Sequence, residues 1–454
     1  MEEKMDLLLK NGLVVTENEC KRVDIAVKNG KIAGLLERGS KTCCSEKEID
    51  CQGKVILPGA IDTHSHFFEP GEPSKYRDDF YTATMAAAAG GYTTCIEMPQ
   101  SIPPVVNKEA FLLKKKLATE KAVVDFALWG GLVPSSLDKI KELKEEGCVA
   151  FKAFTSDAGP DYEMCSDYDL LEGMKIVKAV GGLVGIHAEN DSICRKMTEY
   201  YRGMKTICPE YHEASRPWYA ELEAVSRCIL WSRITECPVM ICHLSIPEGA
   251  EQIKKEKEAG NKFIFAETCA HYLLFDTDTL KKYGAFARCN PPLRSPERRE
   301  KLWEYVLNGT IEVIGSDHAA YTHEEKQAAE NIFDAPCGFP GLQTILPGLL
   351  TEGVIKRGMS LVDFARLTST NAAKRFGLYP KKGHIAVGAD FAIISLNHPW
   401  KYDHTKSFSK GKSNGYPQEN MSFEAKVEKT MVRGEVVYQS EKIVKPKGYG
   451  QWLC

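Results

Sequence analysis

Ile61-Asp62-Thr63-His64-Ser65-His66, followed by Phe67-Phe68-Glu69-Pro70-Gly71, ends an apolar strand-like run in two histidines one residue apart. Successive side chains on an extended strand alternate faces, so His64 and His66 point the same way and can reach one cation. Upstream, Lys54-Val55-Ile56-Leu57-Pro58-Gly59 forms an apolar lead-in closed by a Pro-Gly break. The acidic turn after the histidines ends the strand where a site would open. A His-x-His pair by itself is weak evidence, because most such pairs are surface or core histidines. Its weight depends on partners elsewhere in the chain.

Working outward, texture changes twice. Before residue 55 the sequence reads as short strands, with Lys28-Asn29-Gly30-Lys31 as a hairpin turn returning into Ile32-Ala33-Gly34-Leu35-Leu36. From about 55, apolar strand-like runs alternate with helical stretches. The runs include Gly91-Tyr92-Thr93-Thr94-Cys95-Ile96-Glu97, Val123-Val124-Asp125-Phe126-Ala127-Leu128-Trp129 and Cys148-Val149-Ala150-Phe151-Lys152-Ala153-Phe154. Further along come runs ending at His187, His243, Thr268 and His318, and helices are expected over 107–121 and 138–146. Strands apolar throughout and separated by helices predict a parallel sheet covered on both faces. About eight such units predict an α/β fold, a (β/α)8 barrel of the TIM type. After 383 the β texture returns: Gly383-His384-Ile385-Ala386-Val387-Gly388-Ala389-Asp390 leads into a strand, and a later hairpin centres on Arg433-Gly434. The expected organisation is residues 1–55 and 383–454 as two parts of one small composite β-sandwich, with a catalytic barrel at 56–382.

Composition narrows the function. The chain has 454 residues, 43% hydrophobic and 27% charged, with a net charge of -3. That suits a globular protein and offers nothing to steer it toward nucleic acid or an anionic membrane. No apolar run reaches the roughly 18 residues of a spanning helix, and the start, Met1-Glu2-Glu3-Lys4-Met5-Asp6, is acidic without an apolar signal core. A cytoplasmic location is the expectation. Sixteen cysteines, single apart from Cys43-Cys44 and without a C-x-x-C pair, read as free thiols rather than a disulfide framework or zinc ribbon.

Polar residues able to hold a metal fall at the C-terminal ends of the apolar runs: His64, His66, Lys152, His187, His243 and Asp317. In a (β/α)8 barrel that is the catalytic face. Four imidazoles and a carboxylate exceed what one open catalytic zinc uses, about three protein ligands plus water. They suit two ions about 3.5–4 Å apart. Lys152 fits only if modified, because an ammonium has no lone pair to give. Carbon dioxide converts a neutral lysine amine into a carbamate with two oxygens, which can bridge both ions, and a buried strand end favours the neutral amine.

These residues resemble the binuclear amidohydrolase superfamily, in its cyclic-amidase branch of allantoinases, hydantoinases, dihydropyrimidinases and dihydroorotases. Trp129-Gly130-Gly131-Leu132-Val133-Pro134, Ser215-Arg216-Pro217, Glu267-Thr268-Cys269-Ala270-His271-Tyr272-Leu273 and Arg375-Phe376-Gly377-Leu378-Tyr379-Pro380 are most similar to allantoinases. The resemblance implies two divalent metals, zinc first with cobalt or manganese as alternatives, and often a homotetramer. It implies that His64, His66 and Asp317 hold one ion, that His187 and His243 hold the other, and that carbamylated Lys152 bridges. Asp317 would also shuttle the proton while a hydroxide shared by the ions opens the ring of a small cyclic amide or ureide.

Substrate contacts are expected from Phe68, Asp157, and the loops at Asn290 and at Gly338 and Phe339. Dihydroorotases carry an arginine where Phe68 stands, and hydantoinases and dihydropyrimidinases a tyrosine where Asp157 stands. Allantoinases usually place a polar residue at the Phe68 position and Ser-Pro where this chain has Ala319-Ala320. Allantoin is the first expected substrate, with a hydantoin, dihydropyrimidine or cyclic imide as alternatives. A scaffold homologue that has lost its ligands is the expectation from another class, and all six ligand positions being filled argues against it. The segment 72–79 reads as a solvated loop beside the site.

Overall fold

The computed structural model describes residues 4–39, 44–387 and 389–453. The acidic start Met1 to Glu3, Cys43 and Gly388, named above, lie outside the described residues, as does Cys454.

Eight parallel strand positions form the barrel: Ala60–His66, Tyr92–Glu97, Asp125–Gly131, Ala150–Phe154, Val184–His187, Val239–Ile241, Ile264–Cys269 and Val313–Gly315. Nearly every residue in them is buried, as expected of strands covered on one side by helices and on the other by the barrel interior. The second and third expected runs begin two residues late. Cys148 N–H is already given to the Leu143 carbonyl at the end of the preceding helix, so pairing starts at Ala150. The helix expected over 107–121 is Lys108–Lys121, capped by the Asn107 side chain on Ala110 N–H. The one expected over 138–146 is shorter, Ile140–Glu145, because a 3-10 turn occupies Pro134–Lys139.

The eighth strand closes the ring in two pieces. Val313–Gly315 pairs with the seventh strand, and His318–Ala319 pairs with the first. Between them Ser316 and Asp317 leave the ladder. Ser316 N–H donates to Asp62 Oδ1 at 2.8 Å, and its hydroxyl lies 2.8 Å from both Asp62 Oδ2 and the His64 carbonyl. A side chain of the first strand thus replaces the missing ladder bonds. Burial, partly offset by those bonds, leaves the Asp62 carboxyl at about 7.

The chain's two ends share one ten-stranded sheet. Val55–Pro58, expected only as a lead-in, is a central strand of it, parallel to Leu13–Val15 and antiparallel to Phe391–Lys401. Cys20–Lys28 pairs with Leu13–Val15 at its start and with Met5–Lys10 and Lys31–Glu37 further on. The sheet therefore folds over an inner layer that includes Leu9, Ile25, Ile56, Phe391 and Met431. Asn29 and Gly30 turn the first hairpin at φ 49° and 72°, the left-handed pair a two-residue turn needs. Ser45–Asp50 is a strand the sequence reading missed, because its charged, exposed pattern carries no apolar alternation. Below the barrel, Lys382 Nζ lies 2.6 Å from Asp125 Oδ2 and also pairs with Asp390, while Arg433 pairs with Asp125. This buried cluster ties the third barrel strand to the terminal sheet. Among the described residues no helix is long and apolar enough to cross a membrane.

Candidate active site

The barrel's C-terminal face opens into a cavity of about 650 Å³. Five of the eight strand positions deliver the expected residues to it: His64 and His66 from the first, Lys152 from the fourth, His187 from the fifth, His243 just past the sixth, and Asp317 from the break in the eighth. His64 Nε2 and His66 Nε2 lie 3.4 and 3.3 Å from the same oxygen, Asp317 Oδ1. His187 Nδ1 lies 3.1 Å from His243 Nε2, and Lys152 Nζ lies 3.5 Å from that nitrogen. All six predicted ligands therefore converge.

The backbone is strained where they do so. Phe68, His243 and Asp317 adopt φ of 58°, 39° and 47°, a region that side-chain-bearing residues avoid. Asp317 and His243 lie just beyond strand ends, and the left-handed residue at each re-aims the side chain. Strain of this kind persists only where the surroundings impose it, and it concentrates at functional sites.

Two buried carboxylates stand behind the histidines. Glu267 Oε2 lies 2.8 Å from His64 Nδ1, while its Oε1 accepts from the Thr63 hydroxyl. Glu189 Oε2 lies 2.6 Å from His187 Nε2 and is clamped by Arg216. Each pairing turns the opposite ring nitrogen, His64 Nε2 or His187 Nδ1, toward the centre. Sequence reasoning quoted Glu267 and Arg216 within motifs but gave them no role, and it missed Glu189. The spacing of His187 and Glu189, two residues apart, was the available signal.

Electrostatics follow from burial and these neighbours. Burial pushes His66 down to about 4, His187 below its usual range and His243 far below, so these rings are neutral and have lone pairs to give. For His64, burial and Lys152 act downward, but Glu267 and Asp317 outweigh them and raise it to about 9. Burial acts to raise Asp317, and His64 and His66 overcome it, holding the carboxyl well below the usual range. Glu189 is likewise held low by Arg216 against the effect of burial.

The donor set fits divalent metal. Four ring nitrogens and one carboxylate oxygen point inward, and His64, His66 and Asp317 place ligand atoms within 4.8 Å of one another. Lys152 Nζ is fully buried and meets no carboxylate among the described residues. An unmodified ammonium there is poorly accommodated. His243 Nδ1 is buried without a partner among the described residues.

Comparison with known proteins agrees with this geometry. Residues 55–437 match the model of the amidohydrolase family. The chain belongs to the amidohydrolase family, in its cyclic-amidase branch. It is 37% identical to an allantoinase of Escherichia coli O9:H4 (strain HS) over 451 residues, 98% of each chain. Among solved structures it is similar to the L-hydantoinase (dihydropyrimidinase) from Arthrobacter aurescens, with a TM-score of 0.95 and 33% identity over 99% of each chain. The dihydropyrimidinase from Brevibacillus agri NCHU1002 gives a TM-score of 0.91 at 27% identity, over 99% of this chain and 98% of that one.

Around this amidohydrolase centre, the expected substrate contacts divide. Phe68, Asp157, Asn290 and Gly338 line the cavity. Asp157 is an exposed rim residue whose Oδ1 accepts from Gly159 N–H. Among the described residues, Asn290 Oδ1 and Gln100 Oε1 are buried in the lining without partners. Gly338 N–H is already donated to the Arg288 carbonyl at 2.8 Å, so its free main-chain group is its carbonyl. A Cβ at Gly338 would come within 2.6 Å of the Ala319 Cβ, which restricts the position to glycine. Phe339 is a correction: it does not line the cavity. Its ring packs against His271 and Phe275 and its carbonyl accepts from Ala319 N–H, because the short bridge to His318 turns it into the core.

The loop read as solvated is half right. Glu72 to Lys75 is largely open to solvent, but Asp78 is fully buried. It lies 2.9 Å from His318 Nε2, and accepts from Ser409 Oγ at 2.6 Å and Lys410 N–H at 2.7 Å.

Proposed function

We propose that the protein hydrolyses a ring C–N bond of a small cyclic amide, with allantoin opened to allantoate as the first candidate reaction. One observation carries the reading: His64, His66, Lys152, His187, His243 and Asp317 meet in a single cavity, with carboxylates fixing two of the rings. By this reading His64, His66 and Asp317 hold one divalent ion and His187 and His243 the other. Lys152, if carbamylated, would supply the anionic oxygens shared by both. Zinc suits these nitrogen and oxygen donors, with cobalt or manganese as alternatives. When bound, such ions polarise a ring carbonyl and acidify a water molecule.

The chain supplies the remaining steps. Asp317, held ionised, takes the proton of the attacking water and hands it to the departing ring nitrogen. Gln100 Oε1 and Asn290 Oδ1, buried acceptors without partners among the described residues, suit the N–H edges of a ureide ring. The allantoinase named above, similar over nearly the full length, supports allantoin. A hydantoin, dihydropyrimidine or cyclic imide is the second reading. It is favoured by the aromatic wall of Phe68 and Tyr321, whose ring centroids are 5.3 Å apart, and by the likeness to the hydantoinase. Division into 1–55, 56–382 and 383–454, a homotetramer, a cytoplasmic location and a role in purine breakdown complete the proposal.

The test is a ring-opening assay of metal-loaded protein on allantoin, hydantoin, dihydrouracil and dihydroorotate, with Lys152→Ala as control. Preferred turnover of allantoin, lost in the variant, is the expected outcome. Preference for hydantoin or dihydrouracil would move the assignment to the second reading. Turnover of none of the four with two ions bound would sink the allantoin assignment.

A further inference from the structure

The wall beside His66 and Asp317 contains a guanidinium that no expectation placed there. Phe68 stands where dihydroorotases carry an arginine, yet Arg77 supplies a guanidinium 4.9 Å above the Phe68 ring. The same group lies 4.5 Å from the centroid of Tyr321. Phe68, Arg77 and Tyr321 all line the cavity. Chain connectivity puts this stack next to the metal donors, since Phe68 is two residues past His66 and Tyr321 four past Asp317.

Arg77 is also held in place. Its neighbour Asp78 is the buried anchor of the loop. Its Nε and Nη2 donate to Glu325 Oε1 at 2.9 and 2.5 Å. Among the described residues its Nη1 edge has no hydrogen-bond partner. Glu325 is fixed in turn, because its Oε2 accepts from Thr322 N–H at 3.0 Å. Of the other cavity arginines, 195, 202 and 216 are paired with Asp191, Asp334 and Glu189, while Arg288 donates from Nη1 to the Ala335 carbonyl and its Nε has no partner among the described residues.

We propose that Arg77 is a specificity-determining residue that reads the exocyclic arm of the substrate ring, donating from Nη1 to a neutral carbonyl oxygen of that arm. The proposal rests on the ring-opening function above. Its chemical class is a cyclic ureide bearing an uncharged ureido or carboxamide arm. Charge compensation decides between a neutral and an anionic arm. A dihydroorotase-type arginine free of a carboxylate would attract a carboxylate. Glu325 already neutralises Arg77, so a second carboxylate would meet repulsion from Glu325 beside two aromatic rings. A neutral carbonyl needs only the free N–H. Packing against both Phe68 and Tyr321, which touch each other edge to face, keeps the fork rigid at little entropic cost.

The test compares kcat/KM for allantoin (neutral arm), hydantoin (no arm) and hydantoin-5-acetate (carboxylate arm), in wild type, Arg77→Ala, Arg77→Lys and Glu325→Gln, each metal-loaded. Arg77→Ala is expected to lower the allantoin-to-hydantoin ratio about 10–100-fold, with Arg77→Lys intermediate. A ratio is read because damage to folding or metal content lowers both substrates together. Glu325→Gln is expected to raise hydantoin-5-acetate relative to allantoin, since the guanidinium loses its compensating charge. The proposal is overturned if the Arg77→Ala ratio stays within about threefold of wild type, if wild type prefers hydantoin-5-acetate to allantoin, or if it opens hydantoin but not allantoin. Failure of wild type on all three rings removes the allantoin assignment and this one with it, while turnover of dihydrouracil would leave the ring-opening reading standing.

Discussion

Glu267 and His64 link two strands of the barrel that are not neighbours: Oε2 lies 2.8 Å from Nδ1, with both side chains fully buried. The carboxylate also accepts from the Thr63 hydroxyl and lies within 3.2 Å of His243 N–H. One side chain of the seventh strand thus sets the orientation of a ring on the first and of the backbone that carries His243.

That geometry gives the first prediction. Glu267→Gln can still accept from one donor but loses its charge and its fixed tautomer preference for His64. Metal affinity is expected to fall about 10–100-fold, as for other carboxylates behind metal-holding histidines. Metal content after dialysis at graded free zinc checks it. Unchanged content at every concentration would remove Glu267 from a role in holding the centre.

Removal of the metal itself should separate fold from function. The barrel buries its core without help from the cavity residues, so chelation is expected to abolish ring opening while far-ultraviolet circular dichroism stays the same. The ions should still stabilise by mass action, about 2.7 kcal/mol at a hundredfold excess over Kd. Denaturant midpoints with and without added zinc measure this; identical midpoints would argue against binding to the native state.

Arg216→Met should act through Glu189. The carboxylate is fully buried and Arg216 is its one cationic side chain within ion-pair distance among the described residues, apart from the His187 ring. Leaving it unpaired is expected to cost about 3–5 kcal/mol. Urea unfolding of metal-free protein checks the value, and a loss under about 1 kcal/mol would mean that solvent or another group reaches Glu189.

A second buried pair carries a pH signature. Lys114 Nζ lies 2.5 Å from Glu97 Oε2, with both side chains fully enclosed. Burial, partly offset by Lys114, raises Glu97 to about 7. A carboxyl whose folded value exceeds its unfolded one, near 4.3, stabilises below that lower value, and the stabilisation is lost as pH rises through about 7. Lys114→Met removes the cation and pushes Glu97 higher still. The variant should therefore lose stability relative to wild type as pH rises above about 7, by at most about 1.4 kcal/mol per pH unit, with little difference in slope below that. Urea midpoints from about pH 5 to about pH 8 test the sign; a difference that shrinks with pH would refute it.

By itself the sequence determined the barrel, the composite terminal sheet and the six residues that converge in the cavity. Each of those rests on local chemistry. Strand-like runs apolar throughout require cover on both faces, and polar residues at their ends are pushed to one rim by strand polarity. Asn29-Gly30 and Arg433-Gly434 announce their own turns. The remaining features depend on contacts between distant segments. Asp62 closes the broken eighth strand across 254 residues. Glu267 reaches His64 from 203 residues away, and Glu325 holds Arg77 from 248 residues away. No local pattern encodes such pairings, because each side chain finds its partner only after the strands have closed. The same reason turned Phe339 inward: its fate depends on a bridge to His318, which exists only once the ring is complete.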